Sequence, residues 1–263
     1  MNDSQSLIHH HFKDGDQLNV EDLNVITVLV DRSQTVLTEI GWNSWRAGLE
    51  GPPHSHSEKD QIFYITDGRG RIVFGEEAFE VAPGDLVYVP MGRRHQTVVE
   101  GAESLSYVLY NFFRDSGKEG HSTFADHIEK VKHERKAQAS AGWGEGTGNS
   151  PPAQTKPNCI RDLPGLARSL GAGGEAEVLG QGNTMRCSAR IILLGANAAF
   201  VGNNSPMVER ALFVIGGSGR IRAEAEERIL GHGDLLFIPS ATEFTLHGKD
   251  EDFALLDIAT HLD

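Results

Sequence analysis

Residues Gln61–Pro90 read QIFYITDGRGRIVFGEEAFEVAPGDLVYVP, a stretch of short apolar runs separated by Gly, Asp and Pro. A second stretch, Arg210–Pro239, reads RALFVIGGSGRIRAEAEERILGHGDLLFIP and lies 149 residues further along, with no gap in the alignment. Nine of the 30 positions are identical, including a Gly-x-Gly turn and a Gly-Asp turn. Shared turns between matched apolar runs indicate that the same hairpins occur twice. The sequence therefore predicts a duplicated β domain.

The chain on either side of these stretches has the same character. Short alternating or apolar runs, broken by Gly, Pro, Asn and Asp, recur through both halves. Many short strands with turns between them are typical of all-β sandwiches and barrels. The segment Phe124–Ala139 differs, because Phe124, Ile128 and Val131 fall at helical spacing. This spacing predicts one short helix with a single apolar stripe.

The segment 140–157 is rich in Gly, Pro, Ser and Thr and has no periodicity, which is typical of a linker. We therefore predict an N-terminal barrel over residues 1–139, a linker over 140–157 and a C-terminal barrel over 158–263. The tract His9–His11 lies in a polar N-terminal segment. We expect this tract to be a disordered arm or the remnant of a tag, because adjacent imidazoles on such a segment are not held in one geometry.

The composition excludes several classes of partner. The 263 residues carry 24 Lys and Arg against 37 Asp and Glu, which gives a formal net charge of −13. A surface this acidic repels nucleic-acid phosphates and anionic lipids, and no run approaches the roughly 18 apolar residues of a membrane span. No secretory signal is visible, and Cys159 and Cys187 form neither a disulfide framework nor a metal knuckle. We expect a cytoplasmic protein that binds neither nucleic acid nor membrane.

The N-terminal copy contains a regularly spaced set of histidines. His54 and His56 stand two apart, Gln61 follows after four residues, and ten residues separate Gly84 from His95. His54 and His56 point to the same side if their segment is a strand, because residues two apart in a strand share a face.

This arrangement resembles the two sequence motifs of the cupin superfamily, in order and with the short inter-motif spacing of its microbial members. The resemblance implies a bicupin: two antiparallel double-stranded β-helix (jelly-roll) barrels in tandem, with both motifs intact only in the N-terminal copy. It also implies that His95 joins His54 and His56 in the barrel interior. Three converging neutral imidazoles would hold a divalent metal ion such as Zn²⁺, Fe²⁺, Mn²⁺ or Ni²⁺.

The fourth ligand position departs from the family pattern, since cupins typically carry Glu where this chain has Gln61. A Gln carbonyl oxygen can ligate a metal ion but brings no negative charge. A site of His54, His56, His95 and Gln61 would therefore be a stronger Lewis acid, and it would lack a carboxylate base at that position. The alternative is a degenerate pocket that keeps its histidines without a metal ion.

The C-terminal copy has lost these residues. The 149-residue offset places Asn203 on His54, Ser205 on His56, Arg210 on Gln61 and Phe244 on His95. We expect a structural barrel without metal ligands, in which Phe244 fills the pocket. An alternative is that Arg210 binds a carboxylate there.

Three functions are consistent with the resemblance. The first is a metal-dependent isomerase, cyclase or lyase that acts on a small carbonyl- or hydroxyl-bearing metabolite by Lewis-acid activation in the N-terminal barrel. The second is a non-haem iron dioxygenase at the same site, although its usual carboxylate ligand is missing. The third is a non-enzymatic module that binds a metal ion or a small ligand.

The sequence also suggests further contacts of the site. Tyr64 and Tyr88 lie on predicted strands of the first barrel, and we take them as candidates for the pocket lining, since barrel mouths use aromatics to hold substrate. A small-molecule substrate is the expected partner. Edge strands of open barrels also allow two copies to pair into a homodimer.

Overall fold

The computed structural model describes residues 6–20, 22–118, 122–139, 155–203, 205–223, 226–250 and 252–262. Within these ranges the chain forms twenty strands, two α-helices and two short 3-10 turns. The elements up to the first helix are β1 (Ile8–His11), β2 (Gln17–Val20), β3 (Asn24–Val30), β4 (Thr38–Trp45), β5 (Lys59–Asp67), β6 (Gly70–Phe74), β7 (Glu77–Val81), β8 (Leu86–Val89), β9 (Gln96–Val99), β10 (Leu105–Phe113) and α1 (Phe124–Ala139).

The remaining elements follow the predicted linker, of which all but Thr155–Pro157 lies outside the described residues. They are β11 (Asn158–Ile160), α2 (Leu163–Ser169), β12 (Glu175–Leu179), β13 (Cys187–Leu194), β14 (Ala199–Asn203), β15 (Val208–Gly216), β16 (Ser218–Ala223), β17 (Glu226–Gly231), β18 (Asp234–Ile238), β19 (Glu243–Gly248) and β20 (Phe253–His261). The helix α1 has the predicted bounds, whereas α2 was not predicted.

The chain divides into two compact units, one formed by Gly15–Arg161 and the other by residues up to Asp14 together with Asp162–Asp263. In the first unit a seven-stranded sheet, in the order β11-β8-β5-β10-β4-β3-β2, faces a three-stranded sheet, β7-β6-β9. All pairings are antiparallel. Alternate side chains of both sheets, such as Phe63, Ile72 and Val99, meet in one apolar core.

The second unit has the same plan. A six-stranded sheet, β1-β18-β15-β20-β13-β12, faces a four-stranded sheet, β14-β19-β16-β17, again with antiparallel pairing. Its core includes Leu212, Ile221, Phe244 and Leu255. Each unit thus consists of two sheets closed around one core, which confirms the predicted all-β fold with two jelly-roll barrels in tandem.

Each unit completes its large sheet with a strand from beyond the predicted domain boundary. The strand β1 pairs with β18 of the C-terminal unit, with Ile8 opposite Phe237 and His11 opposite Asp234. The strand β11 pairs with β8 of the N-terminal unit. The observed units therefore differ from the predicted barrels, 1–139 and 158–263, by these two edge strands. Each of them covers a sheet edge that the barrel would otherwise expose.

The tract His9–His11 is an ordered edge strand, so the expectation of a disordered arm was wrong. His9 Nε2 also lies 3.3 Å from a carboxylate oxygen of Asp234. The backbone hydrogen bonds to β18, which do not depend on side-chain type, explain why a polar tract forms a strand here. No helix in the described part of the chain is long and apolar enough to cross a membrane.

The helix α1 packs on the N-terminal barrel through its apolar stripe. Phe124 and Ile128 join Val20 and Ile26 in a small buried cluster. The backbone N–H of Phe124 donates to Asp31 Oδ2 at 2.9 Å, which gives a partner to a donor that the helix leaves unpaired. The helix thereby covers the barrel end where the histidines lie.

Candidate metal centre

Three histidines meet inside the N-terminal barrel. His54 and His56 precede β5, and His95 precedes β9. The backbone N–H of His54 donates to the carbonyl of His95 at 3.0 Å, and the backbone N–H of His95 donates to the carbonyl of His54 at 2.8 Å. One ring nitrogen from each of the three lies within 4.8 Å of the others, and all three residues are buried. Ring nitrogens this close together could hold one metal ion after a small adjustment of the side chains.

Backbone carbonyls orient two of these rings. His54 Nδ1 lies 3.0 Å from the carbonyl oxygen of Pro52, and His95 Nδ1 lies 3.0 Å from that of Arg93. A carbonyl only accepts hydrogen bonds, so each Nδ1 carries the proton and each Nε2 keeps its lone pair. Hydrogen bonds of this kind fix the tautomer of metal-binding histidines.

The imidazoles are held neutral. Burial, followed by the charge of Arg135, keeps the pKa of His54 well below its usual 6.5, and burial with the charge of Lys59 does the same for His56. Burial is also the largest cause that lowers the pKa of His95, to about 4. The site therefore presents nitrogen lone pairs rather than protonated rings near pH 7, as metal binding requires.

A chain of buried hydrogen bonds sets the orientation of Gln61. The carboxylate of Glu39 can only accept, so Asn111 must donate to it through Nδ2, at 2.7 Å. Asn111 Oδ1 then accepts from Gln61 Nε2 at 2.9 Å. Gln61 Oε1 is left buried without a hydrogen-bond partner among the described residues. An unsatisfied buried oxygen is costly, and a bound cation would satisfy it.

These residues fit a divalent metal ion. The donors are the ring nitrogens of His54, His56 and His95 and the amide oxygen of Gln61, which lines the same cavity. Imidazole and amide donors suit first-row divalent ions. All four donors are neutral, so the set does not compensate the charge of the ion.

A small cavity of about 40 Å³ surrounds the histidines. Its described lining carries two cationic side chains, Lys59 and Arg135, and contains no Asp or Glu. Lys59 Nζ lies 2.5 Å from His127 Nε2, and His127 Nδ1 lies 2.5 Å from Glu39 Oε1. Burial is the largest influence on Lys59 and lowers its pKa to about 8. The cavity therefore combines apolar walls with two cationic side chains, Lys59 and Arg135.

Neither tyrosine chosen from the sequence lines this cavity. Gln61 and Phe63 face the interior, so Ile62 and Tyr64 on the same strand face outward. Tyr88 pairs with Ile62 and shares its face, where its hydroxyl donates to Asp60 Oδ2 at 2.8 Å. Tyr64 and Tyr88, the candidates for the pocket lining, therefore lie on the other face of the sheet from the cavity.

The aromatic side chains in the cavity wall are Trp45, Phe63, Tyr107 and Phe124.

Sequence reasoning also missed the polar residues around the histidines. Arg135 continues the apolar stripe of α1 at the spacing of one more turn, four residues after Val131. Lys59 lies two residues before Gln61 on the same strand and so shares its face. The spacing alone therefore predicts that Arg135 and Lys59 face inward, whereas the contacts of Glu39 and Asn111 depend on strand pairing.

The C-terminal barrel has a different interior. Phe244 is 3% exposed and belongs to the apolar core. Arg210 donates to both carboxylate oxygens of buried Asp257, each at 2.6 Å, and Arg190 Nε donates to the same carboxylate at 2.7 Å. Among the described residues, the histidine set of the N-terminal barrel alone brings three metal-ligating side chains together.

Comparison with known proteins supports the sequence resemblance. A family model described as a cupin domain matches residues 44–110. The chain is 40% identical over 43 residues to an uncharacterized protein of Methanocaldococcus jannaschii, which is 16% of this chain and 34% of that protein. It is 33% identical over 57 residues to an uncharacterized protein of Streptomyces coelicolor, which is 22% of this chain and 53% of that protein. The chain thus spans about a third and about half of the length of these relatives.

Solved structures match over nearly the whole chain. Protein YlbA from E. coli has a TM-score of 0.70 at 11% identity, covering 99% of this chain and 93% of that one. An 11S globulin from Wrightia tinctoria has a TM-score of 0.67 at 14% identity, covering 99% and 84%. Salicylate 1,2-dioxygenase from Pseudaminobacter salicylatoxidans has a TM-score of 0.63 at 12% identity, covering 86% and 72%. These likenesses show a shared fold. Together with the domain matched over residues 44–110, they show that the chain contains a cupin domain and has a two-barrel fold of the cupin type.

Proposed function

We propose that the N-terminal barrel binds a divalent metal ion through His54, His56, His95 and Gln61 and acts on a small carbonyl- or hydroxyl-bearing metabolite as an isomerase, cyclase or lyase. The observation that carries this proposal is the convergence of three buried, neutral ring nitrogens within 4.8 Å of one another. When bound, a divalent ion supplies Lewis-acid polarisation of a substrate oxygen.

The side chains of the cavity have separate roles in this proposal. The carbonyls of Pro52 and Arg93 hold the rings of His54 and His95 in the metal-binding tautomer. Lys59 holds a proton at Nζ on the cavity wall, within hydrogen-bond distance of His127, so a proton-transfer group faces the substrate space. The helix α1 covers this end of the barrel and lines the cavity with Phe124, Ile128 and Val131.

A dioxygenase is the second candidate. It is favoured by the three-histidine cluster together with the fold shared with salicylate 1,2-dioxygenase. The two candidates differ in one measurable respect, since only a dioxygenase consumes O₂. A non-enzymatic binding module would bind the metal ion but convert no metabolite.

The first test is elemental analysis of the purified chain, with any affinity tag removed. We expect about one equivalent of divalent metal in the wild-type protein and less than about a tenth in His54→Ala and His95→Ala. His133→Ala, on the exposed face of α1, is the matched control and should keep the full content. Full metal content in His54→Ala would show that the site is elsewhere. Iron together with O₂ uptake would favour the dioxygenase.

A further inference from the structure

The C-terminal barrel contains a cavity that the proposed function does not use. Its volume is about 250 Å³, and side chains of β12, β13, β15 and β20 in the large sheet line it. Arg210 lies two residues before Leu212 of the apolar core and so faces the barrel interior. Asp257 lies two residues after Leu255 of the same core and faces the same way. The cavity therefore lies at the end of the barrel interior where β13 and β15 begin and β20 ends.

Small side chains leave this cavity open at positions where the N-terminal barrel carries larger polar groups. In the N-terminal barrel Asn111 of β10 pairs with Glu39 of β4, and their side chains bond each other. In the C-terminal barrel Ala259 of β20 pairs with Ser188 of β13, which the 149-residue offset places on Glu39. Both small residues line the cavity. An alanine and a serine thus leave space where the first copy holds an amide and a carboxylate.

The two arginines of the cavity are held by carboxylates of the protein itself. Arg190 and Arg210 both donate to Asp257, which is 1% exposed. Arg190 Nη1 also donates to Glu175 Oε2 at 2.9 Å. Asp257 therefore occupies the position that the carboxylate of an external ligand would take between the guanidinium groups. The positive charge of the arginines is balanced, and we do not expect the ligand of this cavity to be an anion.

Hydrogen-bonding groups of both kinds remain at the cavity. Arg190 Nη2 has no hydrogen-bond partner among the described residues, so the guanidinium keeps donors beyond those that bond Asp257 and Glu175. Glu177 pairs with Arg190 across the strands and lines the cavity, and in the described part of the chain its carboxylate makes no hydrogen bond or ion pair. A carboxylate only accepts and a guanidinium only donates. A ligand between them must both donate and accept.

We propose that this cavity is a second ligand site, and that its ligand is a small neutral polyol of monosaccharide size. Neighbouring hydroxyl groups donate and accept at once, so one ligand can bond Glu177 and Arg190 without bringing a net charge. The ion pairs of Asp257 stay intact beneath it. A volume of about 250 Å³ lies just below the roughly 300 Å³ at which pockets for drug-sized ligands begin. The site needs no metal ion and does not depend on the proposed function.

The test measures binding to the full-length protein by NMR, through the backbone amide shifts of Ser188, Arg190 and Val208. Four neutral polyols are the probes: D-glucose, D-galactose, D-ribose and myo-inositol. D-Glucuronate carries a carboxylate in place of one hydroxymethyl group of glucose, and cyclohexanol keeps a six-membered ring with a single hydroxyl. A chelator is present throughout, so that no probe binds through a metal ion at the histidines.

We expect at least one neutral polyol to shift these amides saturably and to bind at least about 10-fold more tightly than D-glucuronate or cyclohexanol. Val208→Phe should weaken its binding at least about 10-fold, because the ring fills the cavity. Val201→Phe, at a position of β14 that is 77% exposed, is the matched control and should bind as the wild type does. Glu177→Gln should lose about 3- to 10-fold, because a neutral acceptor bonds a hydroxyl more weakly than a carboxylate does. Glu243→Gln, also exposed, controls for the lost charge.

Several outcomes would overturn this inference. Saturable shifts with none of the four polyols would show that the cavity is not a polyol site, and tighter binding of D-glucuronate would show that its ligand is an anion. Unchanged polyol affinity in Val208→Phe would place the ligand elsewhere. The comparison of probes on the wild-type protein remains decisive even if Val208→Phe folds poorly. Because the chelator removes any metal ion, none of these results bears on the N-terminal metal centre, which elemental analysis tests separately.

Discussion

Gln61 brings a neutral oxygen to the candidate metal centre, where a glutamate would bring a charge. Its orientation depends on Asn111, whose amide group donates to Glu39 and accepts from Gln61. Gln61→Glu would place a carboxylate against the oxygen of Asn111, so that a buried donor–acceptor pair becomes two acceptors. A change of charge at residue 61 would therefore also change the stability of the barrel around it.

We therefore expect Gln61→Glu to lower the free energy of unfolding of the metal-free protein by about 1–3 kcal/mol. Its affinity for a divalent ion should rise, because the carboxylate compensates the charge of the ion. Urea unfolding in the presence of a chelator and competitive Zn²⁺ titration measure the two effects. Gln17→Glu, at an exposed position of β2, is the control for the added charge. A metal-free variant as stable as the wild type would contradict the hydrogen-bond orientation inferred for Gln61.

The buried histidines also predict how the stability of the metal-free protein depends on pH. Burial lowers the pKa of His54 and His56 well below 6.5 and that of His95 to about 4, whereas the unfolded chain has ordinary values. Between these values the unfolded state binds more protons than the folded state, so the free energy of unfolding falls as the pH decreases from about 6.5 towards 4. The slope is at most about 1.4 kcal/mol per pH unit for each histidine.

Urea unfolding at pH 7.5, 6.5 and 5.5 measures this dependence. His95→Gln should show a shallower decline because it removes one of the contributing groups, and His133→Gln should follow the wild type. The same decline in His95→Gln as in the wild type would mean that His95 is not held neutral.

At the scale of elements, the packing of α1 on the barrel depends on a glycine in the sheet that it contacts. A Cβ atom on Gly41 of β4 would lie 3.0 Å from Phe124 Cζ and 2.9 Å from Ile26 Cγ2. These distances are shorter than ordinary van der Waals contacts, so the helix or the strand would have to shift. We expect Gly41→Ala to cost about 1–3 kcal/mol of stability and to loosen α1.

Hydrogen exchange of the α1 amides, compared with those of β5 and β10, shows whether the loss is localised to the helix. Gly182→Ala is the matched control, because no atom lies within 4 Å of its added Cβ, and it should change stability by no more than about 0.5 kcal/mol. Equal protection of α1 in Gly41→Ala and the wild type would contradict the packing described.

The elements that the sequence predicts well are those whose signals are local. The helical stripe of α1 reports periodicity within one segment, and the structure contains it. His54 and His56 do meet His95, but they lie in the segment before β5 and not in a strand, so the strand alternation expected for them does not apply. Tyr64 was misplaced although its distance of three residues from Gln61 already puts it on the opposite face. Tyr88 could not be placed without the register between β5 and β8, which is a contact between distant segments. The inward position of Arg135 follows from the stripe of α1, whereas its contact with His54 is of the same long-range kind.

At the scale of the whole molecule, the pairing of β1 with β18 assigns a separate role to the N-terminal segment. The backbone N–H of Phe12 donates to the carbonyl of Gly233 at 3.0 Å, and the Phe12 ring packs edge-on against Phe213 at a centroid distance of 6.1 Å. Removing residues 1–12 would leave the edge of β18 without its partner strand and expose apolar surface. An unpaired edge both loses stability and offers a template for association with other chains.

We therefore expect the chain lacking residues 1–12 to unfold at a temperature at least about 4 °C lower than the wild type, with the loss confined to the C-terminal barrel. Its metal content should be unchanged, because all four candidate ligands belong to the unit formed by Gly15–Arg161. Calorimetry, hydrogen exchange of β15 and β18, and elemental analysis measure these three quantities. A chain lacking only residues 1–5 is the control, since it keeps β1. Equal thermal stability of the two shortened chains would show that β1 contributes nothing to the stability of the C-terminal barrel. A loss of metal from the chain lacking residues 1–12 would show that this segment contributes to the N-terminal site instead.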